Sequence, residues 1–136
     1  MTVLTQDMPL KLDILAAINT RPGIRLAILF GSLAKGGAHI ESDLDLAVDA
    51  GHPLTVSEKM ALIGDLAERT GRPIDLVDIQ TVGEPLLGQI LQHGKRIHGS
   101  DTHYANLITR HLFDQADFLP YRNRILAERR LAWIGK

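Results

Sequence analysis

Two short apolar runs and the residues between them constrain the fold more than any other part of the sequence. The first run, residues 24–30, leads directly into Gly31 and Ser32, and ten residues further on Asp43 and Asp45 open a second, alternating run. A run that stops at a glycine-containing turn and a run of period two are both typical of β-strands. We therefore predict two strands joined by a turn and a loop.

The alternation places Asp43 and Asp45 on the same face of the second strand, about 7 Å apart at ~3.3 Å per residue. Two carboxylates held this close repel each other, so the pair is favourable only with a cation nearby. Mg²⁺ is the natural candidate, because it prefers oxygen ligands and keeps coordination positions for substrate phosphates. After Gly31, backbone N–H groups and the Ser32 hydroxyl at the start of a helix can bind a phosphate. The combination predicts nucleotide chemistry.

A third predicted strand, residues 73–79, carries two further aspartates. Asp75 and Asp78 fall on opposite faces of a strand, so only one of them can face Asp43 and Asp45. We favour Asp75, which lies centrally, and expect Asp78 to cap a loop or a helix at the end of the strand. Three carboxylates would hold a two-metal centre, with one ion on the nucleotide phosphates and one on an attacking hydroxyl. Asp75 could also accept the proton of that hydroxyl as a general base.

Four other polar residues near this motif need an interpretation. Lys35 lies one helical turn after Ser32, where its ammonium could reach a phosphate, and a solvated loop lysine is an equal alternative. Ser42 either orients the carboxylates that follow it or is an ordinary turn serine. We interpret Asp49 as a turn residue and His39 as an exposed loop residue.

Apolar periodicity and turn residues predict the remaining elements. They are a helix around residues 10–18, a helix over 57–69 with Met60, Ile63, Leu66 and Ala67 facing inward, a helix over 82–93, a short strand over 95–98, and a helical segment over 101–133 broken near Pro120. Strands that alternate with helices predict an α/β (α+β) fold, a small mixed β-sheet flanked by helices. We expect the 136 residues to form a single domain, with a core at about 9–99 and a C-terminal helical segment at about 101–134.

Composition narrows the class of protein. A net charge of −1 gives no attraction to nucleic acid or to an anionic membrane. The sequence predicts neither a basic groove nor an aromatic platform on which bases could stack, so polymerase activity is the least expected function. The chain has no cysteine and no run of about 20 apolar residues, so we expect neither a disulfide framework nor a membrane span. The polar N-terminus does not resemble a signal peptide, which makes a cytoplasmic location the expectation.

The motif resembles the signature of the DNA polymerase β-like nucleotidyltransferase superfamily, on the pattern Gly31-Ser32-x10-Asp43-x-Asp45 followed by Asp75. Within that superfamily the chain is similar to the minimal nucleotidyltransferases, and in particular to the MntA-type antitoxins encoded beside HEPN-domain toxins. This second resemblance lies in the short length, in Lys35-Gly36 after the Gly-Ser pair, and in the sequence Gly94-Lys-Arg-Ile-His.

The resemblance implies an activity, cofactors and a partner. Gly31 and Ser32 would contact the triphosphate of ATP, and Mg²⁺, expected as two ions, would be bound by Asp43, Asp45 and Asp75. The enzyme would transfer AMP from ATP to a tyrosine hydroxyl of a cognate HEPN ribonuclease toxin, and the modification would neutralise the toxin.

Two other functions stay open at this stage. One is transfer of a nucleotide to a small molecule, in the manner of aminoglycoside nucleotidyltransferases, although those enzymes usually have a larger acceptor domain. The other is an antitoxin that acts by binding alone, with inactive carboxylates. The C-terminal third mixes apolar stripes with arginines, which is typical of protein interfaces, and we expect Phe118 and Trp133 to contribute to partner binding.

Overall fold

The chain folds as alternating strands and helices around one sheet. A computed structural model describes residues 2–34 and 42–134, and describes side chains for 9–34, 42–116 and 124–129. The elements in these ranges are α1 (Thr2–Asn19), β1 (Leu26–Phe30), α2 (Gly31–Ala34), β2 (Leu44–Asp49), α3 (Val56–Thr70), β3 (Ile74–Asp78), α4 (Leu86–His93), β4 (Lys95–Gly99) and α5 (Asp101–Ile134).

The sheet is mixed, with the strand order β3-β2-β1-β4. Strand β1 is antiparallel to both β2 and β4, whereas β2 and β3 are parallel. The last residue of β1 and the first residues of β2 and β3 therefore lie at the same end of the sheet. The predicted class, a small mixed sheet flanked by helices, is confirmed.

Each face of the sheet has its own hydrophobic layer. Helices α1 and α3 cover one face, where the buried side chains include Ile14, Ile18, Leu44, Leu46, Val48, Leu62 and Leu66. Helix α4 and the first turns of α5 cover the other face, where the buried side chains include Leu26, Ile28, Ala47, Leu87, Ile90 and Leu107. Strand β2 thus sends alternate side chains into both layers, as a strand buried on both faces must.

Helix α3 begins and ends at strong local signals. The Thr55 hydroxyl accepts a hydrogen bond from the Glu58 amide at 3.1 Å, the Glu58 carboxylate accepts one from the Thr55 amide at 3.0 Å, and Gly71 ends the helix with a φ of 67°. The predicted inward position of Met60 is wrong, because Met60 is exposed and Leu62 is buried instead. Residues two apart do not share a helix face, so a buried stripe through Leu62 and Leu66 turns Met60 outward.

The β3–α4 connection differs from the sequence prediction. Helix α4 begins at Leu86 and not near residue 82, because a turn comes first, in which the amides of Thr81 and Val82 donate to the Asp78 carbonyl. The strand predictions are correct to within two residues, and Asp43 lies just before β2 and not in it.

Helix α5 is a single helix of 34 residues, so the predicted break near Pro120 is wrong. A proline removes one intrahelical hydrogen bond and favours a bend, but it does not end a helix whose flanking turns remain hydrogen-bonded. Phe118 and Trp133 fall within this helix, and their side chains lie outside those described. Among the described residues, no helix is long and apolar enough to cross a membrane.

The capping box of α3 supports a first prediction. Replacing Thr55 by Ala should lower the free energy of unfolding by about 1 kcal/mol, because the first turn loses a capping acceptor. Chemical denaturation followed by circular dichroism measures this loss. Ser57→Ala in the same first turn is the control and should change stability by less than about 0.5 kcal/mol; equal effects of the two substitutions would contradict the role of the cap.

Candidate active site

The Gly-Ser turn and the predicted carboxylates meet at one end of the sheet. Strand β1 ends at Phe30 and continues directly into α2, while β2 and β3 begin at Leu44 and Ile74. Since β2 is antiparallel to β1 and parallel to β3, these three points are neighbours in space. The fold therefore brings together sequence segments that are more than forty residues apart.

The strand register places Asp45 at the centre of this end. Asp45 is paired with Phe30 on one side and with Asp75 on the other. Paired residues of neighbouring strands project to the same face, so Asp45 and Asp75 lie side by side. Asp43, two residues earlier, has the same parity as Asp45. Asp45 is half-buried, and Asp43 and Asp75 are exposed.

Gly31 is required at its position for two physical reasons. Its φ is +74°, in the left-handed region that favours glycine. A Cβ at this position would lie 2.0 Å from Oδ2 and 2.9 Å from Cγ of Asp45. The backbone of the Gly-Ser turn is therefore packed directly against the Asp45 carboxylate, and the exposed Ser32 follows immediately. No residue with a side chain fits there without displacing Asp45.

The environment of Asp45 disfavours its charged form. Burial raises the pKa of Asp45, and the negative charge of Asp75, a hydrogen bond with the Asp75 side chain and the charge of Asp43 raise it further. The sequence prediction that Asp75, and not Asp78, faces the Asp-x-Asp pair therefore matches the placement of these residues. A cation or a proton among the three carboxylates would relieve the repulsion.

Two main-chain contacts fix the start of β2 against the start of β3. The Arg72 guanidinium donates to the Ser42 carbonyl at 3.0 Å, and the Leu44 amide donates to the Pro73 carbonyl at 2.8 Å. Ser42 is partly buried beside Asp43. The sequence analysis missed Arg72, which positions the segment leading into Asp43; its signal was a basic residue directly before a predicted strand.

Phe30 is a second residue that the sequence analysis missed. It is paired with Asp45 and packs against the hydrophobic layer under α4 and α5. Its aromatic ring forms an apolar neighbour to the carboxylates on the same face. The sequence shows an aromatic residue before the Gly-Ser pair, but only the β1–β2 register shows which aspartate it meets.

The remaining two strand aspartates have structural roles. Asp78 is buried, and its carboxylate accepts hydrogen bonds from the amides of Leu54 at 2.8 Å and Gln80 at 2.9 Å, which matches the predicted loop cap. Asp49 is also buried and accepts a bond from the Gly51 amide at 2.8 Å, as expected for a turn residue. Burial raises the pKa of Asp49, but hydrogen bonds from Gln80, Gly51 and Arg25 outweigh burial and leave that pKa lowered.

The predicted nucleotide contact Lys35 and the loop residue His39 lie outside the described residues. Among residues 2–34 and 42–134, no three histidine or acidic side chains are grouped closely enough to form a ready-made metal site. The chemistry of the donors nevertheless suits Mg²⁺. Burial and the two acidic neighbours raise the pKa of Asp45, and a cation would offset this destabilisation of its charged form. Mg²⁺ is typically bound by one or two carboxylates, with water and phosphate oxygens completing the shell.

The strand that ends in Gly-Ser thus lies against the Asp-x-Asp strand, with a third aspartate in register. The chain belongs to the family described as Polymerase beta, Nucleotidyltransferase, whose model matches residues 13–103. The predicted superfamily is thereby confirmed.

Comparison with individual proteins narrows the similarity to particular members of this family. A curated relative from Shewanella oneidensis, named protein adenylyltransferase MntA, is 34% identical over 79 residues, 58% of this chain and 57% of the relative. The chain is thus aligned with little more than half the length of that relative. A crystal structure of a toxin–antitoxin with AMP-PNP matches 88% of this chain and 98% of its own, with 25% identity and a TM-score of 0.78. An MNT antitoxin in complex with a tri-AMPylated Shewanella oneidensis HEPN toxin matches 91% of this chain and 98% of its own, with 22% identity and a TM-score of 0.75.

The opposite surroundings of Asp75 and Asp78 lead to a second prediction. Asp75→Ala should abolish nucleotide transfer and change the free energy of unfolding by less than about 0.5 kcal/mol, because Asp75 is exposed. Asp78→Ala should cost about 2 kcal/mol of stability, because two backbone amides lose their acceptor. Thermal denaturation and a transfer assay on both variants measure this. A large stability loss in Asp75→Ala would contradict the assignment.

The repulsion around Asp45 leads to a third prediction. In EDTA at pH 7, Asp45→Asn should unfold at a higher denaturant concentration than the wild type, because the repulsion between Asp45 and Asp75 is removed. The gain in the free energy of unfolding should be less than about 1 kcal/mol, because solvent screens the two carboxylates. The raised pKa means that the folded wild type binds protons more tightly than the unfolded chain, so its stability falls as the pH rises through that pKa. The advantage of Asp45→Asn should therefore shrink as the pH is lowered towards 3.8, the ordinary value for an aspartate. A less stable Asp45→Asn at pH 7 would contradict the crowding of charge.

Proposed function

We propose that the protein is a Mg²⁺-dependent nucleotidyltransferase that transfers AMP from ATP to a tyrosine hydroxyl of a cognate HEPN-type toxin and so neutralises it. The observation that carries this proposal is the register that sets Asp45 beside Asp75, directly against Gly31. We assign residues 9–99 to the catalytic core and 101–134 to a helical segment of the same domain.

The relatives support the nucleotide and the class of acceptor. The curated relative is named a protein adenylyltransferase, and the structural relative with 25% identity is a toxin–antitoxin with AMP-PNP, an ATP analogue. Membership of the family supplies the transferase chemistry. The proposal extends both the nucleotide and the protein partner to this chain, and it places the reaction in the cytoplasm, where ATP is supplied.

The proposed reaction is a single in-line displacement at phosphorus. The acceptor oxygen forms a bond to the α-phosphorus of ATP while the bond from that phosphorus to the oxygen bridging the β-phosphate breaks, and pyrophosphate leaves. Backbone amides of the Gly31-Ser32 turn and the Ser32 hydroxyl hold the departing phosphates. The exposed Asp75 carboxylate accepts the proton of the acceptor hydroxyl as a general base.

The carboxylates Asp43, Asp45 and Asp75 would hold Mg²⁺, as two ions in the proposal. When bound, the metal neutralises charge on the phosphate oxygens and lowers the pKa of the attacking hydroxyl. Lys35 would add a positive charge near the β- and γ-phosphates, and Ser42 would orient the start of the Asp-x-Asp strand. Arg72, which holds the Ser42 carbonyl, is a positioning residue in this scheme.

One observation favours a second candidate, an antitoxin that acts by binding alone. Leu112 and Phe113 are large apolar residues left exposed on α5, and partner binding through them would need no carboxylate. A catalytic site of this class is completed by substrate phosphates, whereas a binding module would not need the carboxylates at all. Removing the charge of the carboxylates therefore distinguishes the two functions, because only the enzyme should then lose its activity.

A fourth prediction tests the enzymatic function. The double variant Asp43→Asn/Asp45→Asn should transfer labelled AMP to the HEPN protein at least about a hundredfold more slowly than the wild type, because the phosphates lose their metal site. Incubation with α-labelled ATP, Mg²⁺ and the product of the neighbouring gene, followed by mass spectrometry, identifies the acceptor and the number of AMP units.

Glu68→Gln is the matched control, since Glu68 is an exposed carboxylate on α3, on the opposite face of the sheet. The control should transfer AMP at the wild-type rate. Undiminished transfer by the double variant would refute the mechanism. Full neutralisation of the toxin by a double variant that transfers nothing would establish binding alone.

A further inference from the structure

A groove lies between the two helices on the face of the sheet that carries the carboxylates. It has a volume of about 540 Å³ and runs between α4 and the first part of α5. Its apolar part is formed by Leu91, Tyr104 and Ile108, and its polar part includes the amide side chains of Gln89, Gln92 and Gln115. Apolar side chains between primary amides suit a polypeptide, which offers apolar side chains together with main-chain donors and acceptors.

Exposed apolar residues continue this groove along α5. Ile108 and Gln115 both line the groove, and Leu112, four residues after Ile108, lies on the same helix face between them. Leu112 is 58% exposed and its neighbour Phe113 is 69% exposed. Large apolar side chains left this open on successive positions of a helix are typical of a protein interface.

Among the side chains that the structure describes, those that hold helix α5 to the domain lie in its first part. Leu107 packs in the hydrophobic layer, the Arg110 guanidinium donates to the carbonyls of Ile79 at 2.6 Å and Val82 at 2.7 Å, and His111 pairs with Glu84. Beyond His111, the described side chains of α5 form hydrogen bonds and ion pairs only within the helix. The helix continues from His111 to Ile134, roughly 34 Å at 1.5 Å per residue.

The groove and the carboxylates share one face of the sheet. Phe30, which is paired with Asp45, packs in the same layer as Leu87, Ile90 and Tyr104. The opposite face is filled by α1 and α3 and carries none of the three carboxylates. A protein whose hydroxyl approaches Asp45 and Asp75 therefore comes in from the side of α4 and α5.

We propose that the surface formed by the α4–α5 groove and by Leu112 and Phe113 of α5 is the docking site for the acceptor protein. This inference rests on the proposed function, because it takes the occupant to be the HEPN-type toxin that receives AMP. A protein acceptor is large enough to contact the groove, Leu112 and Phe113 while its hydroxyl approaches Asp45 and Asp75, because the groove and these carboxylates lie on one face of the sheet.

The fifth prediction concerns binding, measured without nucleotide. Leu112→Ser/Phe113→Ser should weaken the complex with the HEPN protein by at least about thirtyfold in isothermal titration, because two exposed apolar side chains are removed from the proposed interface. The same variant should lose AMP transfer to the protein in proportion at limiting toxin concentration. Its melting temperature and its binding of Mg²⁺-ATP should match the wild type, since both side chains are exposed.

Val56→Ser/Met60→Ser provides the matched control. These two residues are exposed apolar positions on α3, 81% and 63% exposed, on the opposite side of the sheet. The control should bind the toxin with the wild-type affinity. Equal affinity of both double variants, or equal loss in both, would overturn the docking site.

Two further outcomes separate this inference from the proposed function. Wild-type protein that binds the toxin without transferring AMP would end the proposed function, and the two double variants would still test the surface by affinity. Sedimentation showing a dimer of the isolated chain that Leu112→Ser/Phe113→Ser converts to monomer would assign the surface to self-association and overturn the inference. Failure of the wild type to bind the toxin at all would overturn both.

Discussion

The candidate site depends on three carboxylates that the strands hold close together at one end of the sheet. Asp45 is fixed between β1 and β3 by backbone pairing, so it cannot move away from Asp75, and Asp43 is only two residues earlier. The resulting repulsion, together with partial burial, raises the pKa of Asp45. Such an arrangement is unfavourable in the free protein and becomes favourable when positive charge arrives with a nucleotide, which makes the crowding itself evidence for a ligand-binding role.

Other parts of the fold hold this end rigid. The turn at Gly31 lets the backbone lie against the Asp45 carboxylate, where any Cβ would overlap with it. Arg72 and the Pro73 carbonyl hold the start of β2 against the start of β3. At the opposite end of the sheet, Asp78 is satisfied by two backbone amides. Chemically identical carboxylates thus serve a site at one end and stability at the other, and they differ in burial and in hydrogen-bond partners.

The sequence predicts the site better than it predicts the helices. Period-two alternation is a property of every strand, so the shared face of Asp43 and Asp45 and the opposite faces of Asp75 and Asp78 follow from spacing alone. The choice of Asp75 rests on its central position in the strand. The buried stripe of α3 depends on where α1 packs, which local periodicity does not contain, and Met60 was therefore placed inward wrongly. The role of Arg72 likewise depends on a contact between distant segments, because its guanidinium reaches the Ser42 carbonyl. Tertiary packing decides these features, and a local pattern cannot.

The difference between the two faces of the sheet supports the proposed transfer to a protein. One face packs against α1 and α3 and forms a hydrophobic layer with them. The other face carries a shorter layer under α4 and the start of α5, which leaves the carboxylates open beside it. Helix α5 continues beyond Arg110 and His111, and its exposed Leu112 and Phe113 extend the surface of the α4–α5 groove. In the proposed function the acceptor is itself a folded protein, which supplies the other half of the interface.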